Sequence, residues 1–189
     1  ASSGRELSTM RWRFDIAKTW DGERLPRGSH LTVTLTLPCE SPDIARVGVR
    51  SPFYADSAPE TPPGSTRGLW DYEVVELMLL GDGDRYLELE FGPHGHYLAL
   101  QLAGERNIIT VRDTMTYDAQ VNGSTWVATA EFPRAWVPDG LRRANAYAIH
   151  GEAPDRRYLA WRPTLGDAPD FHRLERFGSL ETAHIGRCS

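Results

Sequence analysis

The chain has 189 residues, 40% of them hydrophobic and 25% charged, with a formal net charge of −5, the composition of one globular domain with a sizeable core. The negative balance argues against nucleic acid or an anionic membrane surface as partner. No apolar run reaches the ~18 residues of a membrane span, and no basic-then-apolar signal segment opens the sequence.

The first residues, ASSGRELST, read as a leader over positions 1–9, with Met10 as the native start and a single domain over 10–189. LTVTLTL is the clearest strand: Leu31, Val33, Leu35 and Leu37 take one face and the threonines the other, the period of a half-buried strand. IARVGVR is a second strand. SPFYADSAPETPPGSTRG then reads as an ordered functional loop or a flap, being too long for a turn and too polar for a core. WDYEVVELMLL, RYLELEF, HYLALQL, NIITVRD, TWVATAEF and ANAYAIH follow as strands, most of them closed by turn signals such as GDGD, GPHG and AGERN. Only PRAWVPDG offers a helical turn, with Pro133 placed to open it. Many short strands without long helices predict an all-β fold, an antiparallel β-sandwich with jelly-roll or immunoglobulin-like layers and very little helix.

Glu73 and Glu76 stand inside the apolar run from Leu69 to Leu80. In a strand, residues three apart point to opposite faces, so Trp70, Tyr72, Val74, Glu76 and Met78 share one face while Asp71, Glu73, Val75, Leu77 and Leu79 share the other. Both faces are mostly apolar, as in a central strand packed on both sides, and a carboxylate there is costly unless paired or opening into a wet cleft. Two readings stay open: a lock of glutamate on arginine or backbone, and a polar anchor at the floor of a pocket walled by Trp70 or Tyr72.

LWDYEVVELMLL, RYLELEFGPHGHYLAL, STWVATAEFPRAWV, NAYAIHG, YLAWRPT and PDFHRLERFGSLE, in this order, resemble the carbohydrate-binding modules of family nine and the wider DOMON-like β-sandwiches. They are closer still to an animal open-reading-frame family that shares TWDG, LWDYEVVE, PHG, AIHG and PDFH. The resemblance spans nearly the whole chain. It implies a sugar held between two tryptophans, with acids, amides and arginines on its hydroxyls. Carried over, it points to Trp70 with Glu76, to Trp161 with Arg162, and to Asn145 for an amide; with Tyr72, these are the candidate ligand-binding residues. Sugar rings have apolar faces that stack on aromatics and hydroxyl edges that need charged partners, so the chemistry fits. Trp126 and Trp136 read instead as core.

PHGH places His94 and His96 two apart, but Pro93 and Gly95 make it a turn with one exposed and one packed histidine. GDGD is explained as a hairpin turn rather than a calcium loop, and Met78, conceivable as a haem ligand by the DOMON resemblance, as strand core. NGS at Asn122 is a glycosylation sequon that serves equally as a turn. PDFHRLERFG reads as a latch across the sandwich, or with His172 as a proton carrier paired with Glu73 or Glu76. Nucleophile elbow, phosphate loop and dinucleotide fingerprint are all missing.

Cys39 and Cys188 could pair once, but the simpler reading is two free thiols in a reducing compartment. Lys18 is the only lysine among 21 basic residues, a bias that points to a GC-rich, bacterial genome. The expected protein is cytoplasmic, binds no metal or cofactor, and holds a small-molecule ligand, a sugar or another polar compound. The alternative is a cofactor-free biosynthetic enzyme, an acid–base cyclase, isomerase or hydrolase, in which Glu73, Glu76, His172 or His150 moves protons.

Overall fold

Side-chain alternation builds two sheets, and the computed structural model describes them over residues 9–39 and 43–186. The strands in chain order are β1 Thr9–Ile16, β2 Lys18–Thr19, β3 Leu31–Pro38, β4 Ile44–Pro52, β5 Gly64–Ser65, β6 Val74–Leu80, β7 Arg85–Phe91, β8 His96–Ala103, β9 Ile108–Arg112, β10 Thr116–Asn122, β11 Thr125–Pro133, β12 Arg143–His150, β13 Arg157–Ala160, β14 Gly178–Ser179 and β15 His184–Gly186. One sheet runs β10-β11-β4-β3-β1-β15. The other runs β2-β13-β12-β6-β7-β8-β5, with β14 on β12 and β9 on β8. Pairing is antiparallel except for the two-residue contact of β5 with β8. The helices are 3-10 turns of three or four residues, one of them the expected turn at Arg134–Trp136. The fold is therefore the all-β antiparallel sandwich that the turn spacing predicts. Among the described residues no helix is long and apolar enough to cross a membrane.

Of the leader expected at 1–9, Thr9 already belongs to β1 and pairs with Pro38, while residues 1–8 lie outside the described residues. Cys39 is disulfide-bonded, which corrects the expectation of a free thiol there; Cys188 lies outside the described residues.

Between the sheets, Phe14, Leu31, Val33 and Leu35 meet Val75, Leu77, Leu89 and Phe91 across one apolar layer, with Trp126 fully buried among them. Each such large side chain contributes roughly 1.5–3 kcal/mol of burial. A second apolar cluster lies on the outer face of the larger sheet, where Val74, Met78, Leu98 and Tyr147 are roofed by Phe171, Leu174 and Phe177 from the late loop. β6 is buried at all seven positions, because both of its faces are covered. The strand begins only at Val74, however. Leu69–Asp71 forms a 3-10 turn entered through Gly68 at φ 75°, a left-handed conformation that glycine adopts without strain. That turn swings Trp70 outward, leaving it 45% exposed.

Glu73 belongs to this junction. Its carboxylate accepts the backbone N–H groups of Tyr54 at 3.0 Å and Asp56 at 3.3 Å, so it pins the start of the long polar loop to the sheet. Burial raises its pKa and these two hydrogen bonds oppose the rise. This is the lock on backbone among the readings of the acidic strand. Glu73→Gln keeps the shape but replaces one acceptor by an N–H₂ donor that faces the Asp56 N–H. The expected cost is about 1–3 kcal/mol, seen as a melting temperature lowered by roughly 2–10 °C with faster proteolytic cutting near Tyr54–Ser57. An unchanged melting curve would remove Glu73 from this role.

Candidate functional site

Three neighbouring strands aim acids and a phenol at the outer face of the larger sheet. Glu76 on β6 sits directly opposite Glu90 on β7 and Tyr147 on β12. Glu88, two residues before Glu90, shares its face and lies opposite Met78. All three glutamates are buried, at 2% (Glu76), 4% (Glu88) and 0% (Glu90) exposure. One carboxylate oxygen from each can be chosen so that all lie within 4.8 Å of one another, the only such group of potential metal ligands among the described residues.

A cavity of about 370 Å³ opens above them, with Glu76 and Glu88 at its floor and Trp70, Tyr158, Phe171 and His172 in its walls. The roof is held by specific contacts. Phe171 stacks on Tyr147 with ring centroids 4.0 Å apart, and the Tyr147 hydroxyl donates to the Phe171 carbonyl at 3.0 Å. Asp170 accepts Arg106 Nη2 at 2.6 Å and the His172 backbone N–H at 3.0 Å. Arg156 donates to the Trp70 and Tyr72 carbonyls at 2.5 and 3.3 Å, which fixes the turn carrying Trp70 at the cavity mouth.

His172 is wired into the same site. The Tyr86 hydroxyl accepts the Arg106 backbone N–H at 3.0 Å and meets His172 Nδ1 at 2.6 Å. Its own proton can be given to Nδ1 when the imidazole proton sits on Nε2, which lies 3.8 Å from Glu88 Oε2. Burial first, then the Arg106 charge, lowers the His172 pKa to about 4. Burial raises Glu88 to about 7, opposed by a hydrogen bond shared with Glu90 and by Arg106. Glu76 and Glu90 are raised well above the usual carboxylate range by burial and then by neighbouring carboxylates. A hydrogen bond between Glu88 and Glu90 requires a proton on one of them. As ionised carboxylates they have none to share, and both Glu90 oxygens then stand buried without a donor.

Several expected site residues lie elsewhere. Asn145 is wholly buried and clamps Arg162, giving its amide N–H to the Arg162 carbonyl at 2.9 Å and accepting the Arg162 N–H at 3.0 Å. Trp161 packs on the inter-sheet layer, edge-to-face with Phe14 at 5.0 Å, and the Arg162 guanidinium covers its other side at 4.4 Å. Trp161 and Arg162 thus belong to the opposite face of the sheet from Trp70, and these two tryptophans do not wall one cavity. Tyr72 lines a separate depression with Asp56 and Arg156. His150 stacks on Tyr54 at 3.5 Å. The carboxylate facing His172 is Glu88 rather than Glu73 or Glu76, because the late loop descends over β7. In PHGH, His94 is exposed and His96 is buried, bonded to the Thr61 carbonyl at 2.7 Å.

The wiring of His172 has a direct spectroscopic consequence. Its imidazole resonances should stay those of a neutral ring as the pH falls past 6 and move only near pH 4, read by a heteronuclear NMR titration. A midpoint near the ordinary 6.5 would show that the ring is not buried against Tyr86.

No protein-family model matches the chain. It is 39% identical over 174 residues to the zebrafish (Danio rerio) UPF0462 protein C4orf33 homolog, covering 87% of this chain and 86% of that protein. The mouse homolog is 38% identical over 173 residues, covering 87% and 88%. The human UPF0462 protein C4orf33 is 35% identical over 176 residues, covering 88% and 86%. Among solved structures, the fold is similar to a "putative carbohydrate-binding protein" from Bacteroides uniformis, with a TM-score of 0.63 and 16% identity over 89% of this chain and 84% of that one. The bacterial source inferred from the arginine bias is corrected by these relatives, which are fish and mammalian proteins. At this level of identity over this much of both chains, the protein belongs to the UPF0462 family.

Proposed function

We propose that the protein is a small-molecule-binding β-sandwich of the kind found in family-nine carbohydrate-binding modules, and that its ligand is sugar-like, held in the cavity between Trp70 and the late loop. The observation that carries this reading is Trp70 itself. A large aromatic held 45% exposed by the Arg156 contacts, at the mouth of a cavity floored by buried carboxylates, offers a stacking face beside hydrogen-bond acceptors. Such a mixture of apolar wall and few convergent polar groups is typical of small-ligand sites. Glu76 and Glu88 would accept from hydroxyls, and Arg106 and His172 Nε2 would donate to ring or hydroxyl oxygens. The carbohydrate-binding description of the Bacteroides neighbour is consistent with this reading.

Calorimetric titration with a panel of mono- and oligosaccharides tests the proposal. Trp70→Ala should weaken binding by roughly tenfold or more through lost stacking area, and Glu76→Gln by about 1–3 kcal/mol through the loss of one acceptor oxygen. Trp161→Ala should instead lower the melting temperature and leave the affinity of the folded protein unchanged. If Trp161→Ala weakens binding and Trp70→Ala does not, the site lies on the other side of the sheet. If no saccharide binds, the ligand is not a sugar.

A further inference from the structure

We infer that Glu76, Glu88 and Glu90 form a binding site for a hard divalent cation, calcium, magnesium or manganese, at the floor of the cavity. Three oxygens, one from each residue, converge within 4.8 Å of one another, a spacing that a single ion with metal–oxygen distances of about 2.0–2.6 Å spans. An all-carboxylate donor set selects such ions over zinc or copper, which favour nitrogen and sulfur.

A second observation points to an occupant. Glu90 is 0% exposed, and with the acids ionised, the state in which a cation binds, neither of its carboxylate oxygens meets a hydrogen-bond donor. Buried polar atoms are seldom left this way. Among the described residues no arginine or lysine lies within ion-pairing distance of the three acids, and the one ionisable partner is His172, 3.8 Å from Glu88. A carboxylate cluster so deep is unfavourable unless something compensates its charge. Glu90 takes no part in lining the cavity, whereas Glu76 and Glu88 do. An ion that sheds its water can reach all three, while a bulkier ligand stops at the outer two. With three protein oxygens bound, the remaining coordination positions face the cavity and are open to water. This site does not depend on the sugar reading, although a ligand with adjacent hydroxyls could complete the shell.

The test uses the full chain, freed of metal by a chelator, with calcium, magnesium and manganese chlorides titrated separately and no organic ligand present. At least one ion should bind with a stoichiometry of one per chain. At a hundredfold excess over its Kd it should raise the melting temperature by roughly 5–10 °C. Glu90→Gln removes a ligand charge at nearly constant shape and should weaken binding by more than the roughly 10–100-fold typical of an outer-shell change. Glu131→Gln, on the surface beside Arg46, should bind as the unaltered chain does. A measurement on the unaltered chain covers the case in which Glu90→Gln does not fold: manganese should broaden the NMR resonances of Tyr147 and Leu98, which lie across the strands from Glu76 and Glu90, and spare those of Arg46 and Glu131. The inference is overturned if none of the three ions binds, if Glu90→Gln binds as tightly as the unaltered chain, or if broadening centres on surface acids. Because no saccharide is present, those results would leave the proposal for the cavity ligand untouched.

Discussion

Burying three carboxylates on the central strands of one sheet constrains everything built above them. An isolated buried charge is so unfavourable that proteins either pair it, protonate it or give it an ion. Here ordinary arginine partners are placed at a distance instead: Arg156 is engaged with the Trp70 and Tyr72 carbonyls and Arg106 with Asp170. Both still oppose the rise in the acids' pKa, Arg156 at Glu76 and Arg106 at Glu88, but neither neutralises a carboxylate by contact. The guanidinium groups are spent on holding the walls, which leaves the floor electron-rich and directed at the cavity. A conventional set of ion pairs would have filled that space and closed it.

The larger sheet divides its labour between two faces. Its inner face carries Val75, Leu77, Leu89 and Phe91 into the layer between the sheets, where burial stabilises the fold. Its outer face carries the acids, Tyr86 and Tyr147, and needs a second cover, which the late loop supplies through Phe171, Leu174 and Phe177. Because successive residues of a strand point to opposite faces, substitutions one position apart on β6 or β7 act on different properties. Leu77 and Leu89 bear on stability, and Glu76, Glu88 and Glu90 on the site.

That same alternation explains what the amino-acid order reveals and what it hides. Glu76 is legible because the residues around it are apolar on both faces. Glu88 and Glu90 are not, since RYLELEF alternates cleanly and reads as a strand with one wet face. The missing signal lies in the partners. The positions opposite that supposedly wet face are Leu98 and Leu100 on β8, and Met78 with Glu76 on β6, so the stripe faces apolar residues at three of its four partner positions and is itself buried. Seeing it requires the strand order, which is a long-range property. The tryptophans fail for a related reason. Trp161 precedes Arg162 and Pro163 in a polar stretch and looks like an exposed platform, yet it follows directly on β13 and packs inward onto Phe14. Trp70 is displaced the other way, by a 3-10 turn where the apolar run suggests continuous strand.

His172 shows how the late loop converts a latch into part of a site. PDFHRLERFG is legible as a closing segment because its phenylalanines demand burial. Phe171 satisfies that demand against Tyr147, and the next residue is thereby set down between Tyr86 and Glu88. The position of the imidazole is thus a by-product of an apolar anchor one residue away. The anchor is strong because the Tyr147 hydroxyl also holds the Phe171 carbonyl. Loosening that stack would move the roof, the histidine and the Asp170–Arg106 pair together, since all three hang from the same short segment. The cavity's shape therefore rests on packing at Phe171 as much as on the polar groups that line it.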